Sequence, residues 1–190
     1  TEVRLVNIQA ASSLIFLSSL DSYQNNIIRI VRPGTGAPSI SNDLLIGTIA
    51  PDVIDGLSGD DEIFGLEGAD ILSGGAGSDR IEGGSGDDEI EGGFGSDTLL
   101  GGDGNDVITD YAQAGTTEFQ LISGGAGDDS ISAVAGRDGF GLIEATISGD
   151  DGSDTIFIQN VVGAVSGGSG SDSISGFVWS YGGGFSSVSG

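Results

Sequence analysis

From Gly47 to Thr109 one aliphatic residue recurs every nine positions, set among glycine, aspartate and serine: Ile54, Ile63, Leu72, Ile81, Ile90, Leu99 and Ile108. Self-similarity at a fixed short period sets the fold before residue propensities matter. The seven units read GTIAPDVID, GLSGDDEIF, GLEGADILS, GGAGSDRIE, GGSGDDEIE, GGFGSDTLL and GGDGNDVIT. Three more, GGAGDDSIS from Gly124, GDDGSDTIF from Gly149 and GGSGSDSIS from Gly167, keep the same columns after longer intervals. Every unit has Gly first, Asp sixth and Ile or Leu eighth, and the fourth position is Gly except at Ala50.

Glycines at positions one, two and four permit positive φ and close backbone approach, as a tight turn with inward-aimed carbonyls requires. The eighth residue lies in a short extended segment whose side chains alternate between faces. Each unit is therefore predicted to be a turn followed by a very short strand. Two units make one circuit of a flattened right-handed coil, and each strand stacks about 4.8 Å from its counterpart one circuit later. The prediction is an all-β, right-handed parallel β-roll with a thin aliphatic interior.

Charge changes the picture. The chain carries 29 acidic residues against five arginines, with no histidine, for a net charge of -24. Turns that each bring an Asp over another Asp repel one another, so a cation is needed between them. Aspartate oxygens with glycine carbonyls form a hard, flexible donor set suited to Ca²⁺. The lack of imidazole and thiolate disfavours zinc and copper, and Mg²⁺ prefers to keep its waters. Low hydrophobicity with high charge would ordinarily mean disorder; the strict period points instead to order conditional on metal. With no cysteine for disulfides, metal is again the available staple.

The units resemble the glycine- and aspartate-rich nonapeptide of the repeats-in-toxin (RTX) family over roughly residues 47–175. The resemblance implies Ca²⁺ between turns eighteen residues apart, held by sixth-position aspartates and turn carbonyls. Those aspartates are Asp52, Asp61, Asp70, Asp79, Asp88, Asp97, Asp106, Asp129, Asp154 and Asp172. The turn glycines carried over with them are Gly68, Gly77, Gly86, Gly95, Gly104, Gly127, Gly152 and Gly170. The resemblance also implies one-step export and folding on reaching extracellular calcium. Leu57 and Leu66 depart from the family's second-position Gly, and Thr48, Ile49, Ala50 and Pro51 make the first unit degenerate, with a partial or absent half-site expected there.

After Thr109 the unit starts advance by 23, 25 and 18 residues, from Gly101 to Gly124, Gly149 and Gly167. The intervening segments keep an apolar eighth position but place Gln120, Ala145 and Gly163 at the sixth. Coiling is thus expected to continue while one of two turn columns stops binding metal. One column starts at 47, 65, 83, 101, 124, 149 and 167; the other starts at 56, 74 and 92 and then becomes ordinary loops. Pairing neighbours gives about seven or eight Ca²⁺, and eight would bring the charge to about -8, suitable for a soluble module.

Residues 1–46 lack the repeat and are expected to form a β-rich N-terminal cap or assembly segment, with strands at Val3–Ile8, Leu14–Leu17 and Ile27–Val31 and a turn over Pro33–Pro38. They either cover the open edge of the first coil or pair with a neighbouring copy. Residues 47–175 form the roll, and residues 176–190, rich in glycine and aromatics around Trp179 and Tyr181, form a C-terminal cap or docking tail. The segments Asp110–Ser123 and Ala133–Ser148, with Tyr111, Phe119, Arg137 and Phe140, either pack over the roll edge or form contact loops.

The usual general bases and amine or thiol nucleophiles are missing, as is a G-x-S-x-G elbow. Pairs such as Asp60-Asp61, Asp87-Asp88 and Asp128-Asp129 read as one metal ligand beside one solvent-facing acid, not as a hydrolytic pair. Glu82, Glu89 and Glu91 read as solvent-facing strand positions. No enzymatic activity is expected. The charge disfavours nucleic acid, and no apolar run reaches membrane-spanning length. Two readings stand: a secreted or cell-surface-attached calcium-binding structural protein (surface-layer, fibre or adhesin component) that self-assembles on calcium, or the calcium-triggered export-and-folding domain of a larger secreted toxin or enzyme.

Overall fold

The computed structural model describes residues 28–30, 42–113, 116–135, 142–177 and 187–189. In chain order the first strands are β1 (Ile28–Ile30), β2 (Leu44–Ile46), β3 (Val53–Asp55), β4 (Glu62–Glu67), β5 (Ile71–Ala76), β6 (Arg80–Ser85), β7 (Glu89–Phe94) and β8 (Thr98–Asp103). They are followed by β9 (Val107–Ala112), β10 (Thr117–Ala126), β11 (Ser130–Ala135), β12 (Leu142–Asp151), β13 (Thr155–Gln159), β14 (Val161–Ser166), β15 (Ser173–Phe177) and β16 (Ser187–Ser189). No helix occurs among the described residues.

Successive strands alternate between two sheets: the even-numbered strands, with β1 at the edge, form one, and the odd-numbered strands from β3 to β15 form the other. Each unit therefore crosses from sheet to sheet, and two units close one coil of a parallel β-roll. Glu62 lies beside Leu44 and Arg80 beside Glu62 in parallel register. Beyond Thr109 the register jumps follow the longer intervals, Leu121 beside Thr98 and Thr146 beside Leu121, so the insertions leave the ladder in phase.

The interior is the eighth-position column. Leu45, Ile54, Ile63, Leu72, Ile81, Ile90, Leu99, Ile108, Ile122, Ile131, Ile147, Ile156 and Val165 are all buried. Ala133, Ala145, Ile158 and Val161 widen the core where the long segments enter it.

Among the described residues the parallel ladder reaches back beyond Gly47. β2 pairs in parallel with β4, and Asp43 stands at the sixth position of the unit before Gly47. Pro38 and Ser41 occupy its glycine positions and hide it from a glycine-based reading. β2 and Asp43 thus join the ladder on the N-terminal side of Gly47. β1, within the strand expected over Ile27–Val31, runs antiparallel to β2 and closes that edge of the sheet. At the other end β16 adds a strand beside β14. The strands expected at Val3–Ile8 and Leu14–Leu17, the turn over Pro33–Pro38 and the aromatic stretch 178–186 lie outside the described residues.

Leu57 and Leu66 keep the turn geometry despite their β-carbons, with φ of 72° and 85°. Left-handed backbone costs a non-glycine residue about 1–2 kcal/mol. One coil later, Gly84 adopts φ 113° and lies so close to the Leu66 carbonyl oxygen that a β-carbon would overlap it. Leu66 heads a regular stack, whereas Gly84 is stacked against a turn on the side where its β-carbon would point. Gly84→Ala is therefore expected to destabilise the calcium-loaded chain by at least about 2 kcal/mol in urea unfolding, against no more than about 0.5 kcal/mol for Leu66→Ala. Equal costs for the two would refute this account of the turn.

Candidate metal centre

In extended backbone alternate residues share a face, so positions six, eight and one of the next unit all point inward. The sixth-position aspartates thus face the interior beside the aliphatic column: Asp52, Asp61, Asp70, Asp79, Asp88, Asp97, Asp106, Asp129 and Asp154 are 1–3% exposed. Only the terminal Asp172 is partly exposed.

Each carboxylate ties its turn to the preceding one in its column. Oδ1 of Asp79, Asp88, Asp97 and Asp106 accepts the backbone N–H of Asp61, Asp70, Asp79 and Asp88, at 2.7–2.8 Å. The ladder persists across the longer steps, from Asp106 N–H to Asp129 and from Asp129 N–H to Asp154, both at 2.8 Å. Asp43 joins it by donating its N–H to Asp61 Oδ1 at 2.7 Å.

The second oxygen has no such partner. Oδ2 of Asp70, Asp79, Asp88, Asp97, Asp106, Asp129, Asp154 and Asp172 is buried and accepts no hydrogen bond. It curls beneath the first-position glycine of its own unit: a β-carbon at Gly74 would meet Asp79 Oδ2 at 2.5 Å and the Gly92 carbonyl oxygen at 2.7 Å. That contact explains glycine at position one, where φ makes no demand. The carbonyls of fourth-position glycines also project along the coil; β-carbons at Gly77, Gly86, Gly95 and Gly104 would overlap the carbonyl oxygens of Gly59, Gly68, Gly77 and Gly86. Asp52 differs, because its Oδ2 accepts the Thr48 N–H at 2.5 Å and hydroxyl at 3.0 Å. The degenerate first unit thus satisfies that oxygen internally.

Burial raises the acidities' pKa values against the backbone N–H bonds that lower them, and neighbouring aspartates in each column add to the rise. Asp79 is pushed up to about 7, and Asp88 and Asp129 to about 6; Asp70, Asp106 and Asp154 move the same way. Arg80 lies on the surface with Glu62 and Glu82 and not in the columns. Orphaned anionic oxygens with projecting carbonyls and no internal base fit a hard divalent cation that binds oxygen.

A match to known families decides which cation. A sequence profile described as the RTX calcium-binding nonapeptide repeat (4 copies) matches residues 39–72, 73–108 and 115–140. The chain belongs to the RTX calcium-binding repeat family. The first match begins at residue 39, within the unit that carries Asp43. Comparisons with curated proteins and with solved structures found no match. The family's repeat binds calcium, and this chain is a calcium-binding repeat protein on that ground.

Two features of this RTX roll escape a reading of the consensus. The first is an outer ladder at position five: Asp60 Oδ1 accepts the Ser78 N–H, Asp87 Oδ1 the Asn105 N–H, and Asp128 Oδ1 the Ser153 N–H, each at 2.8 Å. Its sequence signal is the run of Asp, Ser and Asn at that position. The solvent-facing members of the acid pairs therefore bond between turns. The second is Gln120, whose Oε1 accepts the Asp97 N–H at 2.5 Å while Nε2 donates to the Gly95 carbonyl at 2.8 Å. One neutral amide thus supplies the ladder acceptor and a donor for a fourth-position carbonyl.

Carboxyl pKa values raised above 3.8 in the fold mean that protonation favours the coil. In chelator, this contribution is fully present below about pH 4 and is lost as pH rises through 6 to 7. The metal-free chain is expected to show more β-structure by circular dichroism at pH 4 than at pH 8. A stronger signal at pH 8 would contradict the assignment.

Proposed function

We propose that the chain is a calcium-dependent structural module working outside the cell, as a surface-layer, fibre or adhesin component that folds and assembles when it meets Ca²⁺. The observation that carries this reading is the set of buried aspartate oxygens, repeated in each column and lacking any basic partner. In this reading Asp61, Asp70, Asp79, Asp88, Asp97, Asp106, Asp129, Asp154 and Asp172 are ligands. The carbonyls of Gly68, Gly77, Gly86, Gly95, Gly104, Gly127, Gly152 and Gly170 complete the sites. Asp52 contributes least, since Thr48 already serves one of its oxygens. The expected load is about seven or eight ions.

Secretion follows from the calcium requirement. An RTX roll that folds only when its ligand charges are neutralised stays unfolded where calcium is scarce and folds where it is abundant. The role is structural and not catalytic in this reading, because the sixth-position acids serve the inner ladder and Asp60, Asp87 and Asp128 the outer one. No helix among the described residues is long and apolar enough to cross a membrane. Ile49, Phe94, Phe119 and Leu121 are exposed apolar side chains that offer contact area for further copies.

A second reading, a calcium-triggered export-and-folding domain of a larger secreted toxin or enzyme, is favoured by one feature. β1 already closes an edge of the larger sheet, as a self-contained folding unit requires. Sedimentation velocity separates the two. Assembly predicts that 5 mM Ca²⁺ (about the extracellular range) converts an expanded monomer into oligomers or polymers. A compact monomer at all protein concentrations would overturn assembly in favour of the second reading.

A further inference from the structure

Where the second turn column loses its repeat aspartate, acidic charge reappears on residues outside the consensus. One coil beyond Gly92 the first-position residue is Asp110 instead of glycine. A β-carbon at Gly92 would meet Asp110 Oδ1 at 2.5 Å and Asp97 Oδ2 at 2.9 Å, so the two carboxylates converge on one spot. At Gly74 the equivalent pair is one carboxylate oxygen and one main-chain carbonyl. Here a full charge replaces the carbonyl.

Asp110 is fully buried, and neither of its oxygens has a hydrogen-bond partner. Burial and the charges of Asp97 and Glu118 push its carboxyl up to about 8. Glu118 is itself buried, and its Oε1 is held by the Thr116 hydroxyl at 2.8 Å and the Gln113 N–H at 3.3 Å. Its Oε2 is buried without a partner. The acids do not form a closed cage of three. Asp97 and Asp110 converge, and Glu118 acts on both electrostatically from the start of β10. Gln120 preserves the ladder contact to Asp97 without adding charge, which leaves Asp110 and Glu118 as the source of negative charge at this turn.

We propose that Asp97 and Asp110 hold an additional Ca²⁺ at the end of the second column, where Asp110 stands outside the nonapeptide consensus and Glu118 adds negative charge nearby without ligating. Buried carboxylates in this number require compensation, and the offered donors are all hard oxygens. The site rests on the calcium-binding reading above but adds an ion that pairing of repeat aspartates does not provide. It would hold β9 at the point where the regular repeat ends.

The test is an anomalous difference map of the calcium-loaded full chain, supported by ion counting. The expected result is a calcium peak between Asp97 and Asp110 in addition to peaks between repeat turns. Asp110→Asn should then bind one ion fewer by plasma mass spectrometry at saturating calcium. Filled repeat sites with no peak at Asp110, the pair sharing a proton instead, would overturn this inference alone. No ions anywhere would overturn the calcium-binding reading with it. The wild-type map decides the question even if Asp110→Asn fails to fold, and an unchanged ion count in a folded Asp110→Asn chain would refute the site.

Discussion

The structure depends on the stacking of like charges. Inward-facing aspartates recur at eighteen-residue intervals, and each gives one oxygen to the backbone N–H of the preceding turn. That bond fixes the carboxylate against the interior, and the fixed geometry leaves the second oxygen dry and without a donor. An unpaired buried carboxylate is costly, and here the cost repeats with every turn. Protonation or a divalent cation can offset it, and as pH rises above the raised carboxyl values of about 6 to 7 the cation takes over. The aliphatic column cannot, since it contributes one Ile, Leu or Val per unit.

Glycine follows from the same constraint in two different ways. At position one a side chain would occupy the space taken by the aspartate oxygen, as at Gly74 above Asp79. At positions two and four the obstacle is the carbonyl of the turn beneath, combined with positive φ, as at Gly84 over Leu66. Leu57 and Leu66 therefore appear early in the stacks, where the preceding turn is degenerate. Their carbonyls dictate glycine one coil later, at Gly75 and Gly84.

Much of this was legible in the sequence because the period is strict. The paired-unit coil, the eighth-position core and the phase-preserving jumps after Thr109 all follow from column alignment, and Gln120, Ala145 and Gly163 do stand opposite one another in the ladder. What alignment by glycine could not reveal was the unit holding Asp43, because Pro38 and Ser41 erase its turn signature while its backbone still pairs. Nor could it place the sixth aspartate inside the coil with the aliphatic residues, a consequence of strand alternation carried through the turn. Asp110 and Glu118 were hidden for a different reason: each is one acid among 29, and only the fold shows that both are buried without a base.

Charge and order are thus coupled in this RTX chain, and the coupling is visible at single amides. The backbone N–H of Asp88 donates to Asp106 Oδ1 inside the coil, so its exchange with solvent reports directly on whether that ladder exists. Amide hydrogen exchange at pH 7.5, with saturating Ca²⁺ and then with chelator, is the most direct measurement. Strong protection of the Asp88 amide and its ladder counterparts with calcium, and its complete loss in chelator, is the predicted result. Protection that persists without calcium would show that the coil stands without the cation, contradicting the account.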